Sequence, residues 1–322
     1  MNEDDPTKSH ARGRDPPHPH SPESRWRRDA AGARSLGYSS LPEGLLRGGV
    51  EHMSTRRMRI GWHLRSVRPT LRKPVVLLRH RGLRPTDAFL AHFPKSGNTW
   101  LAFMLGEVLF DRSIDWENEG RYLPPVGQQN QAPETLPGSG RLLRTYEPYR
   151  SEYSGKKAVY LVRHVGDVAV SYFNWLQWWT KVEFDFETFL RHFFEGRIDA
   201  HGAWQNHVES WLTAKESDRL IVRYEDLRRS PESELTRVLG HLGMSSQPDR
   251  VQRAVENNTV ENMRAKEDAV RETVFQGRNE QRRFVRKAAI GDSKEWLSDS
   301  ALKLLERYAG NTLSQLGYDG QV

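Results

Sequence analysis

The sequence contains no cysteine. That excludes a disulfide framework, a thiolate metal site and a thiol nucleophile, and it fits a reducing compartment. There is also no run of about 18 apolar residues, the length a membrane-spanning helix needs. No apolar stretch of the kind a secretory signal carries stands near Met1. A soluble, cytoplasmic protein is expected. Apolar residues make up 36% of the 322 positions, a modest share for a chain folded along its whole length. Part of the length is therefore expected to lie outside any core.

Positive charge is unevenly placed along the chain. Residues 1–84 carry 18 Lys and Arg against 8 Asp and Glu, although the net charge of the whole chain is only +7. Residues 1–55 are rich in Pro, Gly, Ser, Arg and His and show no sustained periodicity. Such a segment buries too little apolar surface to offset its ordering entropy, so it is expected to be a disordered basic arm, and Met53 is an alternative start to Met1. Residues 56–84 mix Arg with Met58, Ile60, Trp62, Leu64, Val67 and Leu71. Two readings stay open for them: a basic linker lying loosely on the domain, or a segment that meets an anionic membrane surface or another polyanion. Pro69 and Pro74 argue against a long amphipathic helix there.

From residue 85 onward short β-like runs alternate with helical patterns, which predicts an α/β domain over 85–322. Expected strands are 88–93, 141–145, 157–163 and 220–224. Expected helices are 98–110, 167–178, 186–194, 203–214, 232–242, 249–255 and a last amphipathic one over 298–316 stopped by Gly317. The stretches 111–140, rich in Gly, Pro and Gln, and 266–283, charged with few apolar residues, are expected as surface loops.

The segment Phe93-Pro94-Lys95-Ser96-Gly97-Asn98-Thr99-Trp100 follows the first expected strand and opens the first expected helix. A strand, a turn with Gly, Lys and hydroxyls, and a helix start together make a phosphate cradle. Lys95 precedes Gly97, whereas a nucleotide-triphosphatase loop places its Lys after the last Gly. The order argues against a generic ATPase.

The loop resembles the 5'-phosphosulfate loop of sulfotransferases that use 3'-phosphoadenosine 5'-phosphosulfate (PAPS), usually P-K-[ST]-G-[ST]-T-W, with Asn98 the departure. Four more segments are similar to that family in the same order. Arg163 and Ser171, in Val159–Tyr172, keep the family's R-x7-S spacing. Phe284–Asp292, with Arg286 and Lys287, resembles F-x-R-K-G-x-x-G-D-W. Val222–Leu227 holds Tyr224 in an R-Y-E-D-L match, and Arg141–Tyr149 corresponds to [RK]-x-[IL]-[KR]-[ST]-H-x-P.

The resemblance implies a three-layer α/β fold with a mainly parallel sheet and P-loop-like topology. It implies an enzyme that moves a sulfonyl group from PAPS to a hydroxyl or amine of a small molecule or glycan, leaving 3',5'-adenosine bisphosphate, without a metal. Lys95, Ser96, Gly97, Asn98 and Thr99 would hold the 5'-phosphosulfate. Arg163, Ser171, Arg286 and Lys287 would hold the 3'-phosphate, and Trp100 and Tyr224 the adenine. Arg144 would steady the transferring sulfonate.

Departures cluster where chemistry matters. The family's general base is His, and Tyr146 stands in its place, with an ordinary pKa near 10 that only neighbouring cations would lower. Glu147, His92, His164 and His207 are other candidates for the base. Gly166, Ala288 and Ser293 replace the usual Arg, Gly and Trp, and Val260 stands where a second adenine-stacking aromatic is usual. Trp175, Trp178 and Trp179 are read either as acceptor pocket or as core. Two rival functions remain at this point: a PAPS-binding protein without turnover, and an ATP-dependent small-molecule kinase.

Overall fold

The computed structural model describes residues 69–180, 185–198, 200–245 and 247–318. The expectations for the arm at 1–55, for 56–68 and for the start at Met53 lie outside these residues. The described end of the basic linker is helical. Helix α1 (Pro69–Arg79) opens on Pro69, where a missing N–H costs nothing, and contains Pro74. It packs through buried Val76, while Val75, Leu77 and Leu78 are exposed. Just past its end, buried His80 bonds the Val76 carbonyl and the Tyr153 hydroxyl.

Five strands form one sheet in the order β2-β3-β1-β4-β5: β1 (Ala88–His92), β2 (Glu134–Leu136), β3 (Gly140–Thr145), β4 (Lys157–Val162) and β5 (Asp218–Arg223). The pairs β1–β3, β1–β4 and β4–β5 are parallel, and only the short edge strand β2 runs antiparallel. Side-chain alternation gives the sheet two unlike faces. Leu90, Val159, Leu161 and Val222 enter an aliphatic core. Phe89 and Tyr160 point the other way, into rings: Phe89 lies 4.6 Å from Tyr153, and Tyr160 stacks on Trp211 at 5.4 Å.

Helix α2 (Asn98–Phe110) is apolar around its circumference and buried from Leu101 to Val108, as a helix without a polar face must be. Helices α3 (Val165–Thr180), α4 (Phe186–Phe194), α5 (Trp204–Leu212), α6 (Tyr224–Arg229), α7 (Pro231–His241), α8 (Pro248–Glu256), α9 (Val260–Ala269) and α10 (Asp299–Gln315) complete the described α-helices of six residues or more. Residues of α2, α6, α7 and α8 fill the aliphatic side, and α5 covers the aromatic one. The result is the three-layer, mainly parallel α/β fold that the resemblance implied.

The expected strands and helices agree with these bounds to within a few residues. Strand β2 and helices α1, α6 and α9 were not expected, and each orders a stretch read as linker or loop or left blank. Helix α9 has little apolar periodicity, burying only Met263 and Glu267. Its start is nevertheless written in the sequence, since Thr259 caps it by accepting from the Asn262 N–H at 3.2 Å.

Parallel pairing sends the carboxyl ends of four strands to one edge. Beyond β1 comes 93–97, beyond β3 comes Tyr146, beyond β4 comes Arg163 and beyond β5 comes Tyr224. The chain leaves β1 to build β3 on one side and β4 on the other, and a crevice for ligands opens at such a reversal.

Candidate functional site

The turn after β1 bends through two left-handed positions, Lys95 (φ 70°) and Gly97 (φ 99°), before α2 begins at Asn98. Gly97 is required twice. Its φ suits glycine, and a Cβ there would stand 2.5 Å from the Tyr224 ring. The Ser96 hydroxyl and the Asn98 side-chain oxygen are buried with no hydrogen-bond partner. Buried polar atoms of this kind normally have one, so a ligand is the natural supplier. Thr99 and Trp100, in the first turn of α2, are half-buried, and the Trp100 indole N–H donates to the Asn258 carbonyl at 2.7 Å.

Lys95 is enclosed at its tip. Its Nζ lies 4.1 Å from the Phe284 ring centre and 5.7 Å from that of Trp175. Burial, then repulsion from Arg163, lowers its pKa to about 7, with Glu267 pulling the other way. A cation held this far below its ordinary range is short of negative charge nearby.

The Tyr224 ring, at the first residue of α6, joins the pieces. It touches the Gly97 position, carries the Arg163 guanidinium 4.4 Å above its face, meets Trp100 edge-on at 6.1 Å, and donates its hydroxyl to the Ala288 carbonyl at 3.3 Å. Arg163 also donates to the Ala289 carbonyl at 3.0 Å and keeps a buried Nε without a partner. Ser171, two turns along in α3, is half-buried.

Residues 284–293 are pinned at both ends by buried carboxylates. Glu267 accepts from the Phe284 and Val285 N–H groups at 2.7 and 2.9 Å, and Asp167 accepts from Gly291 and Ser293, both at 2.9 Å. Neither carboxylate was singled out from the sequence. For Asp167 the signal was its place in the first turn of α3, where an acidic residue is favoured by the helix dipole. Within the pinned segment Arg286 and Lys287 pair with Asp292, and Lys287 also reaches Glu295 at 2.7 Å. Ala288 adopts φ 52°, the left-handed geometry a Gly would take freely. Two of the departures meet here: a Cβ on Gly166 would lie 2.8 Å from the Ser293 hydroxyl. The small residue at 166 and the small residue at 293 are one packing solution.

The acceptor side is arranged differently. Arg144, expected at the transferring sulfonate, gives its guanidinium to buried Glu119 at 3.0 Å and to the Leu123 carbonyl at 2.6 Å. Its alternation on β3 sends the side chain toward the segment that runs beside the strand, where the guanidinium is already engaged. Glu147 is engaged by Arg72 of α1 at 2.7 Å, which removes it as a free base. Tyr146 sits among histidines. Its ring meets His92 edge-on at 4.4 Å and His201 at 5.7 Å, and its carbonyl accepts from His207 Nε2 at 3.0 Å. His207 uses its other nitrogen on the Tyr160 hydroxyl. His164 packs on Tyr318 and accepts from the Gly166 N–H, away from Tyr146. Of the three tryptophans, Trp178 is core, edge-on to Phe275 and Phe284, whereas Trp175 borders Lys95. A cavity of about 550 Å³ lies between Trp178, Glu267, Arg271, Phe275 and Arg278.

The donor side, with an under-neutralised lysine, an arginine with an unused N–H and a buried hydroxyl lacking a partner, fits a polyanion. Comparison with known proteins points the same way. The sulfotransferase domain profile matches residues 85–317. Sulfotransferase 1B1 of Canis lupus familiaris is 27% identical over 199 residues, covering 56% of this chain and 67% of the relative. The amine sulfotransferase of Oryctolagus cuniculus is 26% identical over 234 residues, covering 67% and 77%. Among solved structures, retinol dehydratase in complex with androsterone and the inactive cofactor PAP superposes with a TM-score of 0.59 at 20% identity, over 72% of this chain and 82% of that one. Mouse sulfotransferase SULT7A1 complexed with PAP gives 0.56 at 20% identity, over 72% and 87%. At that identity the structural likeness establishes the fold. Among the described residues no helix is long and apolar enough to cross a membrane.

Proposed function

The chain belongs to the sulfotransferase domain family, and from that premise we propose that it transfers a sulfonyl group from PAPS to a hydroxyl or amine. The observation that carries this reading is the Tyr224 hub, which gathers the loop at Gly97, the Arg163 guanidinium and the Ala288 carbonyl around one crevice. In it Lys95, Ser96, Gly97, Asn98 and Thr99 hold the 5'-phosphosulfate. Arg163, Ser171, Arg286 and Lys287 hold the 3'-phosphate, and Trp100 and Tyr224 flank the adenine. Bound PAPS supplies an activated sulfonyl group. Lys95 provides the charge that stabilises it, with the loop N–H groups beside it. Arg163, Arg286 and Lys287 would select a nucleotide phosphorylated at its 3' position through charge-assisted bonds. Phe284 and Trp175 cover Lys95 and exclude water once the site is filled. A cytoplasmic location and an acceptor that is a small molecule or glycan belong to the same proposal.

A second reading, nucleotide binding without turnover, is favoured by the engagement of Arg144 and Glu147 in ion pairs. Calorimetry with 3',5'-adenosine bisphosphate, followed by multiple turnover of PAPS over a panel of phenols, amines and sugars, separates the two. Androsterone and retinol belong in the panel because structural neighbours were crystallised with them. Tight bisphosphate binding with turnover on any acceptor is the expected result. Displacement of the bisphosphate by ATP with Mg²⁺ would overturn the proposal in favour of a kinase.

A further inference from the structure

Resting on the sulfonyl-transfer reading, we propose that His92, at Nε2, takes the proton of the acceptor, a role that the resemblance would assign to position 146. His92 is the last residue of β1 and stands three positions before Lys95. Its Nδ1 lies 3.1 Å from the Phe93 carbonyl. A carbonyl can only accept, so the proton of the neutral ring sits on Nδ1 and Nε2 presents a lone pair. That lone pair is buried and meets no donor among the described residues. A buried acceptor left without a donor lowers stability, and a native fold keeps one where function needs it.

The neighbours single out this ring. His207 has both nitrogens engaged, and His201 faces Arg72 through Nδ1 at 3.1 Å. The groups that face His92 from the packed elements are Arg144 on β3, His207 on α5, His201 and the Tyr146 ring. Burial first, then the charge of Arg144 and the two histidines, lower the His92 pKa to about 3, so the ring is neutral and ready to accept. Negative charge on the donor nearby would raise its basicity when the site is filled. The Tyr146 ring lies edge-on to the His92 ring at 4.4 Å, as the Phe284 ring lies 4.1 Å from Lys95 Nζ. Both reacting groups thus lie beside aromatic rings. In the step itself, the acceptor oxygen bonds to sulfur as its proton passes to Nε2. The bond from sulfur to the bridging phosphate oxygen breaks, and its electron pair stays on that oxygen.

The test uses the full chain, PAPS as donor, and either 2-naphthol or water as acceptor, followed by release of 3',5'-adenosine bisphosphate. His92→Asn places an amide N–H where Nδ1 donates and removes only Nε2. It is expected to lower kcat by about 10²–10⁴-fold, the range of a lost general base. Bisphosphate affinity and KM for PAPS should stay within about threefold, since uniform binding is untouched. His92→Ala should recover roughly tenfold or more of its lost kcat with added imidazole, and the acid limb of the kcat profile should vanish in both variants. If His92→Asn does not fold, His92→Gln carries the same readouts. Turnover of His92→Asn at the wild-type rate overturns the assignment, as does a loss that imidazole does not rescue, or a loss confined to Tyr146→Phe. A wild type that binds bisphosphate but turns over PAPS with neither acceptor also overturns it. Failure of the wild type to bind bisphosphate instead removes the sulfonyl-transfer reading beneath it.

Discussion

The donor and acceptor halves of the crevice grow from the same edge of the sheet, yet they are assembled in different ways. On the donor side, backbone does much of the work. Left-handed positions at Lys95, Gly97 and Ala288, carbonyls of Ala288 and Ala289, and N–H groups pinned by Glu267 and Asp167 set the shape. On the acceptor side the setting is made by side chains from separate elements: Arg72 of α1, His92 of β1, Arg144 of β3 and His207 of α5, around Tyr146. Backbone cradles come as short contiguous motifs and tolerate few alternatives. Side-chain walls can be rebuilt one residue at a time, and here the ion pairs have been drawn into structural service.

The contrast is broken most forcefully at Arg144. If its guanidinium is structural, Arg144→Met leaves Glu119 buried and unpaired, and urea unfolding should show a loss of about 3–5 kcal/mol. Replacing both partners, Arg144→Met with Glu119→Leu, should recover most of it, because a buried pair is often no better than apolar contact. Turnover per folded molecule in the double variant then decides the role. If stability returns and turnover does not, Arg144 belongs at the sulfonate after all, and the two halves are less distinct than the geometry indicates.

A smaller effect sharpens the donor half. Removal of Arg163 takes away a charge-assisted bond network, worth about 1.5–3 kcal/mol or roughly 10–150-fold in affinity. Arg163→Ala should lose that much for 3',5'-adenosine bisphosphate in calorimetry and little for adenosine 5'-phosphosulfate, which lacks the 3'-phosphate. Equal losses for both would mean that Arg163 only supports the Tyr224 ring.

How far the sequence speaks follows the same division. The turn at 93–100, the strand-end Arg163 and the helix behind it are legible because each is a local pattern whose residues meet their partners through backbone geometry. Helix bounds such as 98–110 and 186–194 are legible too, the first from its continuous apolar composition and the second from its apolar spacing. What is not legible is pairing across distance. Nothing in Arg144 or Glu119 alone announces a contact across 25 positions, and nothing in Gly166 announces Ser293. The orphaned lone pair of His92 is invisible for the same reason. It depends on where three other elements end.

A third effect concerns the acceptor half alone. His92 is neutral when folded, with a pKa lowered to about 3, and unfolds to an ordinary value near 6.5. The unfolded chain thus binds more protons between those values, so stability that is complete above pH 6.5 falls as the pH drops toward 3, by about 1.4 kcal/mol per unit. His201, lowered to about 4, adds a slope of the same sign over a narrower pH window. Thermal melts from pH 7 to pH 4.5 should decline accordingly, and His92→Asn should flatten the decline. A slope unchanged in that variant would show that His92 is already solvated.

The smallest effect links the donor half to protons rather than to stability. Lys95 has a pKa of about 7 because burial and Arg163 both oppose its charge. An anion at the loop counters both and should raise it toward the ordinary lysine range. Below pH 7 the ammonium is already formed, so binding of 3',5'-adenosine bisphosphate takes up no proton there through this group. At pH 8 it should take up close to one, and affinity should fall with rising pH by at most tenfold per unit. Calorimetry in two buffers of different ionisation enthalpy reads the uptake directly. Lys95→Arg, always charged, should abolish it while keeping the charge at the loop. If the arginine variant still takes up a proton, the linkage resides elsewhere in the crevice, and proton uptake no longer belongs to the donor cradle.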